Sequence, residues 1–189
     1  MGYFPFYTDV AKLHGVIIGG GSVALEKVVK LLAFDANLTL VAKEVCDEIM
    51  EYKEKIEIIV SEYSDGFLDN ADYVICATDN RVVNEQVWQD VKSRKLLINV
   101  VDVPEKCDFI FPSVLKRGRL VVGVSTSGAG PRVAIKLKDE IAKTVPENIE
   151  EILDYLAEER IKAKERIPDP KERRKYLIEL ADRLLDYEK

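Results

Sequence analysis

The chain has 189 residues, 47% of them apolar, and a formal net charge of −6. That length suits one ordinary domain with an appendage, or two small ones, and that composition can build a core. The acidic balance argues against general nucleic-acid binding, which needs surplus Lys and Arg to displace counterions. No run of about 18 apolar residues occurs, so no membrane span is expected. The N-terminus, MGYFPFYTDVAK, lacks the basic-then-apolar order of a signal peptide, and a cytoplasmic location is expected. Cys46, Cys76 and Cys107 stand far apart and His14 is the single histidine, which suits neither a disulfide framework nor a structural metal site.

In chain order, residues 16–18 predict a short buried strand and 22–34 a helix. NLTLVAK at 37–43 reads as a second strand, 44–53 as a polar helix, and IEIIV at 56–60 as a third strand. ADYVICAT at 71–78 reads as the fourth strand. The four-residue spacing of Val83, Val87 and Val91 makes a helix of the segment after it. LLINVVD at 96–102 is the fifth strand. Continuous apolar strands alternating with helices mean a parallel sheet covered on both faces.

After Asp102 the alternation stops. FIFPSVLKRGRLVVGVST predicts two strands joined by a turn at Arg117-Gly118, and a helix follows with Pro131 in its first turn. Two amphipathic helices close the chain, the second with Asp169 as cap and Pro170 at its first position. The expected fold class is α/β: a Rossmann-like domain over 1–112, a small α+β dimerisation and substrate-contact segment over 113–145, and a helical tail over 146–189. A lone two-stranded hairpin is marginal in water, and a second copy of the chain is the simplest cover for it, so a homodimer is expected.

The segment VIIGGGSVALEK carries the pattern Gly19-x-Gly21-x-x-Ala24 between a strand and a helix. In that context it reads as a dinucleotide-binding turn. Gly19 permits the tight turn, Gly21 lets backbone approach a pyrophosphate, and Ala24 lets the helix pack on the sheet. Gly20, Ser22 and Val23 complete the candidate anion seat at the helix start. The acid that usually meets the ribose about 20 residues on is missing; Ala42 and Lys43 stand in its place. Main-chain groups at Ala42 could serve the ribose, and Lys43 could tolerate a 2′-phosphate. Thr78 and Asp79 follow strand four, although Asp79 reads more simply as a helix cap. Asn99, Val100 and Asp102 end strand five, and Asp102 reads equally as a cleft carboxylate or as a turn former ahead of Pro104. From Ser113 to Lys138 six basic residues occur with no acidic one, a candidate anion-holding region in an acidic chain. His14 reads as an exposed turn residue and Trp88 as packing.

Together YFPFY, GGGSVALEK, CATDNRVVNEQV, the stretch INVVDVPEKCDFIFPSVLKRGRLVVGVSTSGAGPRVA and the tail KERRKYL resemble the precorrin-2 dehydrogenase / sirohydrochlorin ferrochelatase family, the first module of siroheme synthases. The resemblance spans nearly the whole chain and is most specific from Asn99 to Ala134. It implies oxidation of precorrin-2, a reduced tetrapyrrole with eight carboxylates, by NAD. It implies Asp102 as the catalytic group, and in some relatives Fe²⁺ insertion as a second step with Fe²⁺ a transient partner. Lys116, Arg117, Ser125, Thr126, Ser127, Gly128 and Arg132 then become candidate contacts for substrate carboxylates. The competing functions are a non-catalytic NAD-sensing regulatory domain and a chelatase without dehydrogenase activity.

Overall fold

The structure is a computed structural model and describes residues 2–186. Met1 and residues 187–189, the outer ends of the first and last expected domains, lie outside the described residues. The chain divides after Ile110 into two compact units.

The first unit runs β1 (His14–Ile18), α1 (Ser22–Leu32), β2 (Asn37–Ala42), α2 (Asp47–Met50), β3 (Glu57–Val60), β4 (Tyr73–Cys76), α3 (Arg81–Ser93) and β5 (Leu97–Val100). All five strands are parallel, in the order β3-β2-β1-β4-β5. The strands are apolar without alternation because a parallel sheet buries both faces. Val16, Ile17, Val74, Ile75 and Ile98 are fully enclosed, and Val87 and Val91 of α3 pack on the face that carries Val16, Val74 and Ile98.

Register decides where the site can be. Ile18 pairs with Val41 on one side and with Cys76 on the other, and Cys76 pairs with Val100. The carboxyl ends of β2, β1, β4 and β5 therefore stand in one row. At about 4.8 Å per strand, the chain leaving β5 is about 10 Å from the chain leaving β1. The strand order reverses between β1 and β4, and that reversal opens a crevice at the carboxyl edge.

The second unit contains the antiparallel hairpin β6 (Ser113–Arg117) and β7 (Leu120–Val124), then α4 (Pro131–Thr144), α5 (Ile149–Arg166) and α6 (Pro170–Asp186). Pro131 and Pro170 open α4 and α6, as expected of a residue whose missing N–H would be unpaired there anyway. The Asp169 carboxylate caps α6 by accepting from the amides of Lys171 and Glu172 at 2.9 and 2.8 Å.

Four expectations shift. The polar helix expected over 44–53 shrinks to α2, followed by turns. Its leading residues are drawn against Gly20, whose carbonyl accepts from the Cys46 amide at 2.9 Å. The hairpin turn is at Gly118-Arg119, one residue on, because Gly118 supplies the positive φ of +52° at the first central position. Asn80, not Asp79, caps α3, accepting from the amides of Val82 and Val83. His14 is no exposed turn residue. It opens β1, with Nδ1 on the Asn70 carbonyl at 2.9 Å and Nε2 on the Thr39 hydroxyl at 2.8 Å. Trp88 packs against the core cluster, as read from the sequence.

Candidate functional site

The three glycines after β1 do different jobs. Gly19 has φ +124°, and a Cβ there would collide with the Ala77 carbonyl. Only glycine takes that backbone at no steric cost. A Cβ on Gly20 would run into the Glu44 carbonyl and lie 2.9 Å from the Ala42 Cβ. Gly20 is therefore glycine because the protein crowds it. Gly21 is different: a Cβ there would meet nothing within 4 Å. No protein atom crowds this position, which leaves room for a ligand to approach the backbone here.

What Gly21 faces is the start of α1. Gly21 is the N-cap and makes no side-chain cap. The first amide to bond back is that of Leu25, to the Gly21 carbonyl at 3.0 Å. Among the described residues, the amides of Ser22, Val23 and Ala24 have no partner. Unpaired N–H groups at the positive end of a helix form an anion seat. Ala24 is fully buried, which sets the helix close to the sheet. The donor set and the bare approach at Gly21 both fit the pyrophosphate of a dinucleotide.

At the end of β2 the Ala42 carbonyl accepts from the Ser61 amide at 2.9 Å, which occupies one of its lone pairs. Lys43 is exposed and paired with Glu62 at 2.6 Å. That hydrogen bond holds the Glu62 carboxyl below the usual carboxylate range and raises Lys43. Glu62 was not visible as a site residue in the sequence, because it follows β3 rather than β2. It supplies a carboxylate beside the position where a ribose acid was missing.

At the end of β4 the Thr78 hydroxyl donates to Asn84 Oδ1 at 2.7 Å, while Asn84 Nδ2 donates to the Thr78 carbonyl at 3.0 Å. Thr78 thus fixes the loop onto α3. Asp79 is exposed and, freed from capping, sits at the carboxyl edge. Burial pushes the Cys76 thiol up to about 12, so it remains a protonated, unreactive strand residue.

The end of β5 is the most constrained point. The Val103 amide bonds to the Val100 carbonyl at 3.2 Å, closing a turn through Val101 and Asp102. Asp102 sits third in that turn at φ +61° and is exposed. Aspartate is one of the few side chains that tolerate this region, and non-glycine residues held there gather at functional sites. The turn is anchored from behind. The Cys107 thiol donates to the Val100 carbonyl at 3.1 Å, and Asn99 Nδ2 donates to the Phe109 carbonyl at 2.9 Å. Asp108 accepts from the Ile98 amide at 3.0 Å and from Lys92 at 2.5 Å. Lys106 pairs with Glu85 and lies over the Trp88 ring. Asn99 and Val100 therefore act as supports of the Asp102 turn: the Asn99 amide faces the loop, and Val100 is buried. Cys107 reads from the sequence as either core or site wall, while the anchors Asp108 and Lys106 have no signal there beyond their proximity to Asp102.

In the second unit the candidate substrate contacts separate. The Arg117 guanidinium donates to the carbonyls of Ala142, Val145 and Pro146 at 3.3, 3.2 and 3.4 Å, so it caps the end of α4. Ser125 Oγ accepts from the Ser127 amide at 3.1 Å, and Thr126 Oγ1 accepts from the Gly130 amide at 3.1 Å. Ser127 and Gly128 both have positive φ, +52° and +86°, and no protein atom crowds Gly128. At the start of α4 the amides are mostly engaged: Val133 and Ala134 bond to the Gly130 carbonyl, and Pro131 has none. Arg132 and Lys116 are exposed cations beside this loop and hairpin.

Comparison with known proteins bears on the family and the fold. The family described as "Putative NAD(P)-binding" matches residues 6–113, and the family "Sirohaem biosynthesis protein central" matches residues 117–144. The chain is 33% identical over 178 residues to the siroheme synthase of Pseudoalteromonas translucida, covering 93% of this chain and 38% of that protein. It is 34% identical to the siroheme synthase of Mannheimia succiniciproducens, with 93% and 37% covered. The chain thus spans well under half the length of these relatives. Among solved structures it is similar to "SirC, precorrin-2 dehydrogenase", with a TM-score of 0.78, 23% identity, and 94% and 89% of the two chains covered. No helix among the described residues is long and apolar enough to cross a membrane. The bare approach at Gly21, the open helix start and the matching residues lead to one conclusion: this chain belongs to the NAD(P)-binding family whose description covers its first unit, and it resembles the siroheme synthases along nearly all of its length.

Proposed function

We propose that the chain oxidises precorrin-2 to sirohydrochlorin with NAD⁺, in siroheme biosynthesis. The observation that carries this is the pairing, on one sheet edge, of an uncrowded glycine at an open helix start with a carboxylate held at φ +61° two strands away.

Bound NAD⁺ supplies a hydride acceptor at its nicotinamide. The protein's own contribution is placement. The amides of Ser22, Val23 and Ala24 hold the pyrophosphate, and Gly21 keeps the approach clear. Glu62 and Lys43 flank the ribose; the carboxylate disfavours a 2′-phosphate by like-charge repulsion, which favours NAD over NADP. Asp102 takes the proton whose departure accompanies loss of the hydride, so the substrate gives up two electrons and two hydrogens in all. Its turn is pinned by Cys107 and Asn99, which keeps the carboxylate at one height above the sheet. Lys116, Ser125, Thr126, Ser127, Gly128 and Arg132 are the proposed contacts for substrate carboxylates; Arg117 is left out because it caps α4. Where Fe²⁺ is inserted, the same Asp102 carboxylate is the acceptor for pyrrole N–H protons.

A homodimer belongs to this proposal. Along α4, Val133, Leu137 and Ile141 recur at four-residue spacing and are 55%, 49% and 37% exposed. A helix face of that kind is ordinarily buried against something, and a second copy buries it symmetrically. The test of function is anaerobic incubation with precorrin-2 and NAD⁺, following the sirohydrochlorin spectrum and NADH, and then adding Fe²⁺. Turnover is the expected result. NAD⁺ binding without any oxidation of precorrin-2 would assign the chain to the sensing class. Fe²⁺ insertion into sirohydrochlorin without oxidation would leave a chelatase.

A further inference from the structure

The last two helices, α5 and α6, enclose a groove of about 550 Å³. That is within the range of small-molecule sites, roughly 300–1,000 Å³. Its rim carries Arg160 and Lys164 from α5 with Arg173 and Arg174 from α6. Its apolar lining is Pro170, Leu177, Ile178 and Ala181. No acidic side chain lines it.

The charge at this groove is not an accident of a basic tail. Three acids of α5 and α6 are paired with other cations, while Glu165, Glu172 and Asp182 of the same helices do not line the groove. Glu158 and Glu159 pair with Lys162, Glu159 also with Arg166, and Glu179 with Lys175. Arg173 is fixed in place, donating to the Ile167 carbonyl at 2.8 Å and to the Pro168 carbonyl at 3.3 Å. Among the described residues, Arg160, Lys164 and Arg174 have no carboxylate partner. Three cations without a carboxylate partner line one groove with apolar residues in a protein of net charge −6. Like charges gathered without a counter-charge repel, and a bound polyanion removes that repulsion.

We propose that this groove binds a polycarboxylate with a flat apolar body: the body lies on Leu177 and Ile178, and peripheral carboxylates meet Arg160, Lys164 and Arg174. Naming that ligand as the octacarboxylate tetrapyrrole rests on the function proposed above. The groove would then hold tetrapyrrole through residues other than those proposed to bind NAD. A nucleic-acid strand fits less well, because the cations converge around a pocket rather than running along a stripe.

The test is titration of the full chain with uroporphyrin, an oxidised octacarboxylate macrocycle, and with mesoporphyrin, a dicarboxylate of the same ring type. The variants are the triple Arg160→Gln, Lys164→Gln, Arg174→Gln and a double Arg160→Lys, Arg174→Lys that keeps the charge. All three positions are exposed, so both variants are expected to fold. The triple variant is expected to weaken uroporphyrin binding about tenfold to a hundredfold, as loss of three exposed ion pairs implies. The double variant retains most of the affinity, mesoporphyrin binding barely changes, and precorrin-2 oxidation keeps its kcat. Identical uroporphyrin isotherms for the wild type and the triple variant would overturn the site. So would equal loss of mesoporphyrin, or a change of oligomeric state in the triple variant, which would assign the groove to a second copy of the chain. Failure of the functional proposal is seen separately, as absence of precorrin-2 oxidation by the wild-type chain.

Discussion

The two units are built on opposite terms. The first encloses its strands on both faces, with Val16, Ile17, Val74, Ile75 and Ile98 all fully buried. The second buries few apolar residues, Ala134, Ile149, Ile152, Ala163 and Leu180, and leaves Val133, Leu137 and Ile141 open on one helix. A sheet that satisfies itself can devote its edge to a ligand. A hairpin with three helices and a thin core depends on something outside itself. The contrast teaches where to look for each kind of partner: a cofactor at the carboxyl edge of the first unit, and a second copy and an anion against the second.

The largest effect should come from the one strained residue of that edge. Asp102→Asn is expected to cut turnover by about 10²–10⁴-fold, the usual weight of a general base. Asparagine also tolerates positive φ, so folding and NAD⁺ affinity should persist. Wild-type turnover in that variant, measured anaerobically with precorrin-2, would remove Asp102 from the chemistry. Next comes a contrast between adjacent glycines. Gly21→Asp should raise the Kd for NAD⁺ at least about tenfold, since its carboxylate would stand where the pyrophosphate lies, with little change in Tm. Gly20→Ala should do the reverse and lower stability by about 1–3 kcal/mol, because its methyl meets the Glu44 backbone. If calorimetry and NAD⁺ titration gave the same pattern for both, the distinction between crowded and uncrowded glycines would fail.

The second unit gives smaller and different responses. Leu137→Glu places a charge on the open face of α4 and is expected to shift a dimer to monomer in sedimentation, leaving NAD⁺ affinity unchanged. An unaltered sedimentation profile would show that this face is not the interface. The smallest effect concerns α5 and α6. Glu159 accepts from Tyr176 Oη at 2.9 Å and from Arg166 at 3.2 Å, and these hold its carboxyl below the ordinary 4.5. A depressed carboxyl contributes stability above its unfolded value and loses it as pH falls through the folded one. Acid titration followed by helix signal should therefore show the wild type losing stability below about pH 4.5 more steeply than Glu159→Gln. Parallel curves would mean that the pair adds nothing.

Much of the first unit was legible because buried parallel strands leave runs such as GVII, LTLVA and YVIC that have few other uses. What escaped were single-residue choices that depend on tertiary partners. Asp79 and Asn80 are both good caps, and only the path of the chain into α3 selects Asn80. His14 offered no sign of its partners, since Thr39 and Asn70 reach it from elsewhere in the chain. The helix expected over 44–53 had the right composition, but the need to seat residues 44–46 against Gly20 left only one turn of it. At the candidate site, the glycine pattern is legible by spacing, whereas Asp102 reads equally as a cleft carboxylate or a turn former, and only the family resemblance singles it out. Glu62 is not legible, because it comes from a different strand than the one that usually supplies the acid. Arg117 is a candidate anion contact from the basic run and the family resemblance, and only the structure shows it capping α4. The groove of α5 and α6 was hidden in a segment whose mixed charge reads as a solvated face.

The most direct test is a crystal structure of the chain with NAD⁺ bound. The pyrophosphate is expected within hydrogen-bonding distance of the amides of Ser22 and Val23, over the open side of Gly21, with the nicotinamide beside the Asp102 carboxylate. A coenzyme lying against another part of the sheet, or an Asp102 side chain directed away from the ring, would contradict the account.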